Sequence, residues 1–65
     1  MPILPNVTLI PATEAYNILF SSGYTQVEFI YEPYAEVPSG YTHRQEPLGE
    51  QTVERIRKIK VWVNP

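Results

Sequence analysis

Sixty-five residues with no cysteine make one small domain, near the lower limit for a core held by packing alone, and no deep catalytic cleft is expected in it. The net charge is −2, with Glu14, Glu28, Glu32 and Glu36 ahead of Arg44 and every lysine and arginine from Arg44 onward. That balance argues against general nucleic-acid binding, which needs many phosphate contacts on one basic face. No apolar run approaches the roughly 20 residues of a membrane span, and Met1-Pro2-Ile3-Leu4 lacks the basic start and long apolar stretch of a signal peptide. A soluble segment that does not insert into a membrane is expected.

In chain order, Pro2, Pro5 and Pro11 keep the first segment extended or turning, so Leu4 to Leu9 reads as a lead-in with room for at most a short extra strand. Pro11 suits a first helical position. From there Ala15, Ile18, Leu19 and Ser22 fall on one helix face, and Gly23 supplies the stop. Tyr16 and Phe20, four apart, would meet on the helix flank.

Gln26 to Glu32 alternates, with Val27, Phe29 and Tyr31 on one face and Glu28 and Glu32 on the other, the period of a half-buried strand. Pro38-Ser39-Gly40 marks a turn, Tyr41 to Glu46 a short strand, and Pro47-Leu48-Gly49 a second turn. Glu50 to Arg55 reads as a turn of helix or an irregular loop. At the end, Val53, Ile56 and Ile59 with Glu54 four before Lys58 would also suit a helix, but the β-branched run favours a strand from Arg57 to Val63. The fold expected is α+β, one helix packed on a three-stranded antiparallel sheet.

Four pieces of this pattern, in this order, carry a resemblance: Leu4-Pro5-Asn6-Val7, the Ala15 to Gly23 spacing, Val37-Pro38-Ser39-Gly40, and Gln45-Glu46-Pro47 leading to Gly49. Together they resemble a PASTA domain, the small extracytoplasmic module of bacterial serine/threonine kinases and class B penicillin-binding proteins. The similarity runs from Leu4 to Val63. It departs from the family at Leu9, where a glycine is usual, and at Pro11, where a threonine caps the helix. The turn before Gly49 is one residue short, and Glu54-Arg55 stands where a glycine often precedes the last strand.

The resemblance implies a single module spanning residues 1–65 of a longer, membrane-anchored parent, facing the cell wall. It further implies binding rather than catalysis, with peptidoglycan fragments or β-lactams as ligands, neighbouring domains of the parent chain as partners, and no cofactor. Other copies of such modules serve as spacers that position a neighbouring domain, so a ligand-free structural role is the alternative.

The residues themselves supply little for chemistry. His43 is the sole histidine and there is no aspartate, so zinc chemistry and a nucleophile–histidine–acid triad are both poorly provided. Glu28 and Glu32, on one strand, would stand roughly 13 Å apart, too far for paired-acid glycoside chemistry. For binding, alternation places Trp62 outward beside Lys58 and Lys60. An indole between ammonium groups can stack on a sugar ring while the lysines meet a carboxylate or phosphate. Arg44 joins them as a candidate on chemistry alone, and Arg57 has the same standing. The bland readings are lysines that block edge pairing and a tryptophan covering the core rim. Of the tyrosines, Tyr34 and Tyr41 flank the 38–40 turn, and core edge is the expected place for most.

Overall fold

The computed structural model describes residues 2–65; Met1, read above as the start of a segment unlike a signal peptide, lies outside them. One helix, α1 (Ala12–Ser21), precedes three strands, β1 (Val27–Tyr31), β2 (Thr42–Glu46) and β3 (Ile59–Val63). Helix α1 buries Ala15 and Leu19. Ile18, which the spacing placed on the same face, stays partly exposed, so the buried stripe is narrower than expected.

Pro11 stands one position outside the helix, with ψ 143° and no capping side chain. The first amide, that of Ala12, donates instead to the Gly40 carbonyl across the fold at 2.9 Å. At the other end, Gly23 takes φ +95°, its N–H donating to Phe20 O at 3.0 Å and that of Tyr24 to Leu19 O at 2.9 Å. These two bonds close the helix as a Schellman motif and turn Tyr24 inward. Tyr24 is fully buried, and its hydroxyl donates to Val53 O at 2.6 Å.

The sheet is mixed, which corrects the antiparallel expectation. Its order is β1-β3-β2, with β3 parallel to β1 and antiparallel to β2. β1 and β2 do run in opposite directions, as the turn between them suggests, but they are not neighbours. β3 slots between them because Ile59, Val61 and Val63 form the most completely buried row of the sheet, and the central position covers both its sides. Leu4, Val7 and Val53 complete the core on the same face.

The lead-in forms no extended strand. It makes isolated bridges at Ile3–Thr52 and Pro11–Tyr41 and is fastened further by backbone bonds at Leu4, Leu9 and Ile10 and by two buried side chains of β2. Gln45, 3% exposed, accepts from Val7 N–H at 2.7 Å and donates to the carbonyls of Pro5 at 3.2 Å and Pro47 at 3.1 Å. Thr42 Oγ1 donates to Val7 O at 2.6 Å and receives the Ile10 N–H at 3.3 Å. Both side chains point inward because the ladder shifts register between Thr42 and Arg44, which places a bulge at His43. Without that extra residue, strict alternation would send one of them to solvent.

Candidate binding face

Opposite the core, the sheet presents a solvent-facing surface whose composition follows from register. Ile30 of β1, Trp62 of β3 and Arg44 of β2 form one cross-strand row; Glu28, Lys60 and Glu46 form the next. The four residues singled out from sequence therefore do lie on or beside one face, but in different electrostatic settings.

Lys58 Nζ sits 3.3 Å from Glu28 Oε1, so its charge is matched on the surface. Lys60 stands in register between Glu28 and Glu46, flanked by carboxylates on both neighbouring strands. Lys58 is therefore not a free cation for an anionic ligand, whereas Lys60 forms no ion pair among the described residues and only has carboxylates in register on both sides. Arg44 differs. Its guanidinium carbon lies 4.3 Å from the centre of the Trp62 ring system, a cation–π stack. No carboxylate pairs with Arg44 among the described residues. Stacking on the indole restrains a flexible side chain while leaving edge N–H donors for a planar acceptor, the geometry a carboxylate or phosphate needs. Arg57 lies at the far end of the sheet, away from this row.

A second polar group lies beyond the bulge. His43 stacks on Tyr34 with ring centres 4.6 Å apart, and its Nε2 lies 3.1 Å from the Glu32 carbonyl, as an N–H donor would. The Tyr34 hydroxyl donates to Glu36 at 2.7 Å, and that hydrogen bond, with the glutamate's charge, raises the phenol's pKa. Asn64 ties the group together, accepting from Tyr34 N–H and donating to Val37 O. His43 is thus a half-buried strand residue. Among the described residues no group of three or more His, Cys, Asp or Glu side chains is placed to hold a metal ion.

The Tyr16–Phe20 contact expected on the helix flank forms, and beside it lies a groove not singled out from sequence. Tyr16 and Phe20 are nearly half exposed and Tyr31 more so, and Tyr16 stacks on Phe20 with centres 5.9 Å apart. With Ala12, Thr13, Asn17 and Phe29, Tyr16 and Tyr31 line a groove of about 450 Å³ between α1 and β1. The i, i+4 spacing of Tyr16 and Phe20 was the available signal; their exposure depended on which helix face the sheet would cover.

Taken together, a single helix closing one side of a mixed sheet whose other side faces solvent defines a small α+β module with a surface rather than a cleft. The solved structures it matches give that class a family. The three-PASTA-domain structure of a Ser/Thr kinase from Staphylococcus aureus aligns with 95% of this chain at TM-score 0.91 and 25% identity. The extracellular region of the Ser/Thr kinase PrkC from the same organism aligns with 94% at TM-score 0.86 and 26% identity. The chain is a PASTA domain by fold, as its sequence resemblance indicated. It spans 31% and 22% of those two chains, respectively. No family model matches the sequence, and no curated protein matches it. Among the described residues no helix is long and apolar enough to cross a membrane.

Proposed function

We propose that this domain is a non-catalytic, extracytoplasmic binding module of a longer parent chain, a kinase or a penicillin-binding protein, and that it binds peptidoglycan fragments weakly. Its likeness to the extracellular region of a Ser/Thr kinase supports the setting. The observation that carries the binding reading is the Arg44–Trp62 stack on the open face of the sheet, a restrained cation without a carboxylate partner beside an indole. In this reading Arg44 takes a stem-peptide carboxylate and Trp62 offers its remaining edge to an apolar or sugar surface. Lys58, paired with Glu28, contributes long-range field only, and Lys60, with Glu28 and Glu46 in register on the neighbouring strands, is a weaker candidate for contact than Arg44. A shallow face of this kind supports a Kd on the order of 0.1–1 mM in isolation, with usable strength coming from several copies in tandem.

The test is a titration of soluble muropeptides of defined stem composition, followed by backbone amide NMR. Saturable shifts centred on Arg44 and Trp62 are expected, and Arg44→Ala or Trp62→Ala should each weaken binding at least several-fold. Unchanged affinity in both variants would reject this face. The spacer reading is favoured by one observation, the elongated 35 × 17 × 15 Å shape, and the absence of any shift at several millimolar ligand would select it.

A further inference from the structure

The two outer strands of the sheet end differently. Along β2 the outer side is covered by the lead-in, through the Gln45 and Thr42 hydrogen bonds and the Leu9 N–H to Thr42 O bond. Among the described residues no segment bonds to the outer side of β1. The β1–β3 ladder ends in the bonds Ile59 N–H to Gln26 O and Glu32 N–H to Val63 O, at 2.8 and 2.9 Å. In a parallel ladder the residues that bond a given neighbour alternate. Gln26, Glu28, Ile30 and Glu32 therefore address β3, and Val27, Phe29 and Tyr31 turn their N–H and C=O groups to the open side.

That edge has none of the usual protections. Val27–Tyr31 contains no lysine, no proline and no bulge, and its single charge, Glu28, is matched by Lys58. Beside it runs the aromatic groove between α1 and β1, with Tyr31 66% exposed. A row of unpaired backbone donors and acceptors next to exposed apolar rings is a template for an extended polypeptide strand.

From this geometry we infer that β1 pairs with β1 of a second copy of this chain, antiparallel, about a two-fold axis at Phe29. The sequence of the edge selects this occupant and this register. Centring on Phe29 sets Phe29 opposite Phe29 and Val27 opposite Tyr31, so all three outward-turned residues exchange hydrogen bonds. The same register joins aromatic and β-branched side chains across the strands on the helix-facing side. On the other face it sets Glu28 opposite Ile30, and just beyond the strand Gln26 opposite Glu32, so no like charges oppose one another. The two helices then lie on the same side of a continuous sheet, and their exposed Tyr16–Phe20 flanks approach over the joined edge. A five-residue edge with one groove per copy is small by the standard of stable interfaces, so the pair is weak in free solution and strengthened when copies are held close. This association uses the opposite flank of the domain from Arg44 and is independent of muropeptide binding.

Sedimentation of the domain up to millimolar concentration, with NMR on a mixture of differently labelled copies, tests it. The expected result is concentration-dependent dimerisation, amide shifts and slowed exchange at Val27, Phe29 and Tyr31, and intermolecular contacts between Phe29 rings. Tyr31→Lys places a charge on the edge. Tyr31→Pro removes an outward N–H without touching the ladder to β3. Each should weaken dimerisation tenfold or more. A monomer at millimolar concentration overturns the inference. So does a dimer whose β1 amides are unperturbed, a result the wild-type spectra give even if a variant fails to fold.

Discussion

The two edges of this three-stranded sheet present the same backbone chemistry and meet opposite fates. At β2 the neighbouring backbone is a proline-rich lead-in that forms no regular strand, so the ladder cannot simply continue. Backbone pairing is confined to Thr42, through Leu9 N–H to Thr42 O and Thr42 N–H to Ile10 O, and side chains do the rest: Gln45 and Thr42 satisfy both the N–H and the C=O of Val7, and Gln45 also reaches the Pro5 and Pro47 carbonyls. At β1 the outward groups of Val27, Phe29 and Tyr31 are left to solvent or to a partner. The comparison teaches where stability and association reside. Buried polar residues on one edge hold the fold together, while the other edge can change with little cost to it.

The largest expected effect is therefore at Gln45. Gln45→Ala strips a buried amide of its acceptor at Val7 and two buried-side carbonyls of a donor, and each unsatisfied buried group costs about 1–3 kcal/mol. We expect a net loss of about 2–4 kcal/mol, against a total of roughly 3–10 kcal/mol for a chain of this length. Urea unfolding followed by circular dichroism should show it. Tyr31→Ala on the bare edge, by contrast, should stay within about 0.5 kcal/mol of wild type. Equal losses at the two positions would erase the distinction between the edges.

Next in size is Gly49, on the sealed side. A Cβ built there would lie 2.6 Å from the Asn6 Cα, against backbone that cannot swing away. Gly49→Ala must push the lead-in off the 47–50 turn, straining the Glu50 N–H to Leu4 O and Leu4 N–H to Gln51 O bonds that join them. The expected loss is about 1–3 kcal/mol, in the range found for overpacked sites. In a domain this small each kcal/mol lowers the Tm by roughly 4–8 °C, so thermal melts resolve it easily. Gly40→Ala offers a useful contrast, since nothing lies within 4 Å of its added Cβ and only its φ of +85° opposes the change.

These positions also explain how much could be read in advance. Helix and strands follow from local periodicity, and Trp62 facing outward follows from the alternation of β3. The motif residues Pro5-x-Val7 and Gln45-x-Pro47 are distant in sequence, yet the Gln45 amide physically joins them. What stayed hidden was whatever depends on which strands are neighbours. Adjacency of β1 and β3 is set by where the most apolar row finds cover, and no short-range pattern records that. The bulge at His43 was equally silent, and it decides that Arg44 rather than Gln45 faces solvent. Hence the Arg44–Trp62 stack and the Lys58–Glu28 pair, which give the four candidate residues different surroundings, could not be read from alternation alone.

The smallest expected effect tests the sealed edge from the opposite direction, by improving it. Leu9 adopts φ +64° and is 64% exposed, at the position where the sequence departs from the family's glycine. Its left-handed backbone is held by the Leu9 N–H to Thr42 O bond at 2.9 Å, part of the seal along β2. An L-residue with a side chain pays roughly 1–2 kcal/mol for that conformation, and a glycine loses roughly 0.5–1 kcal/mol through its freer unfolded chain. With little buried area to lose, Leu9→Gly should stabilise the domain by up to about 1 kcal/mol, seen as a rise in Tm with the Thr42 amide environment unchanged. A fall in Tm would mean that the Leu9 side chain contributes more to covering β2 than its exposure implies, and that the seal rests on apolar contact as well as on the polar bonds of Gln45 and Thr42.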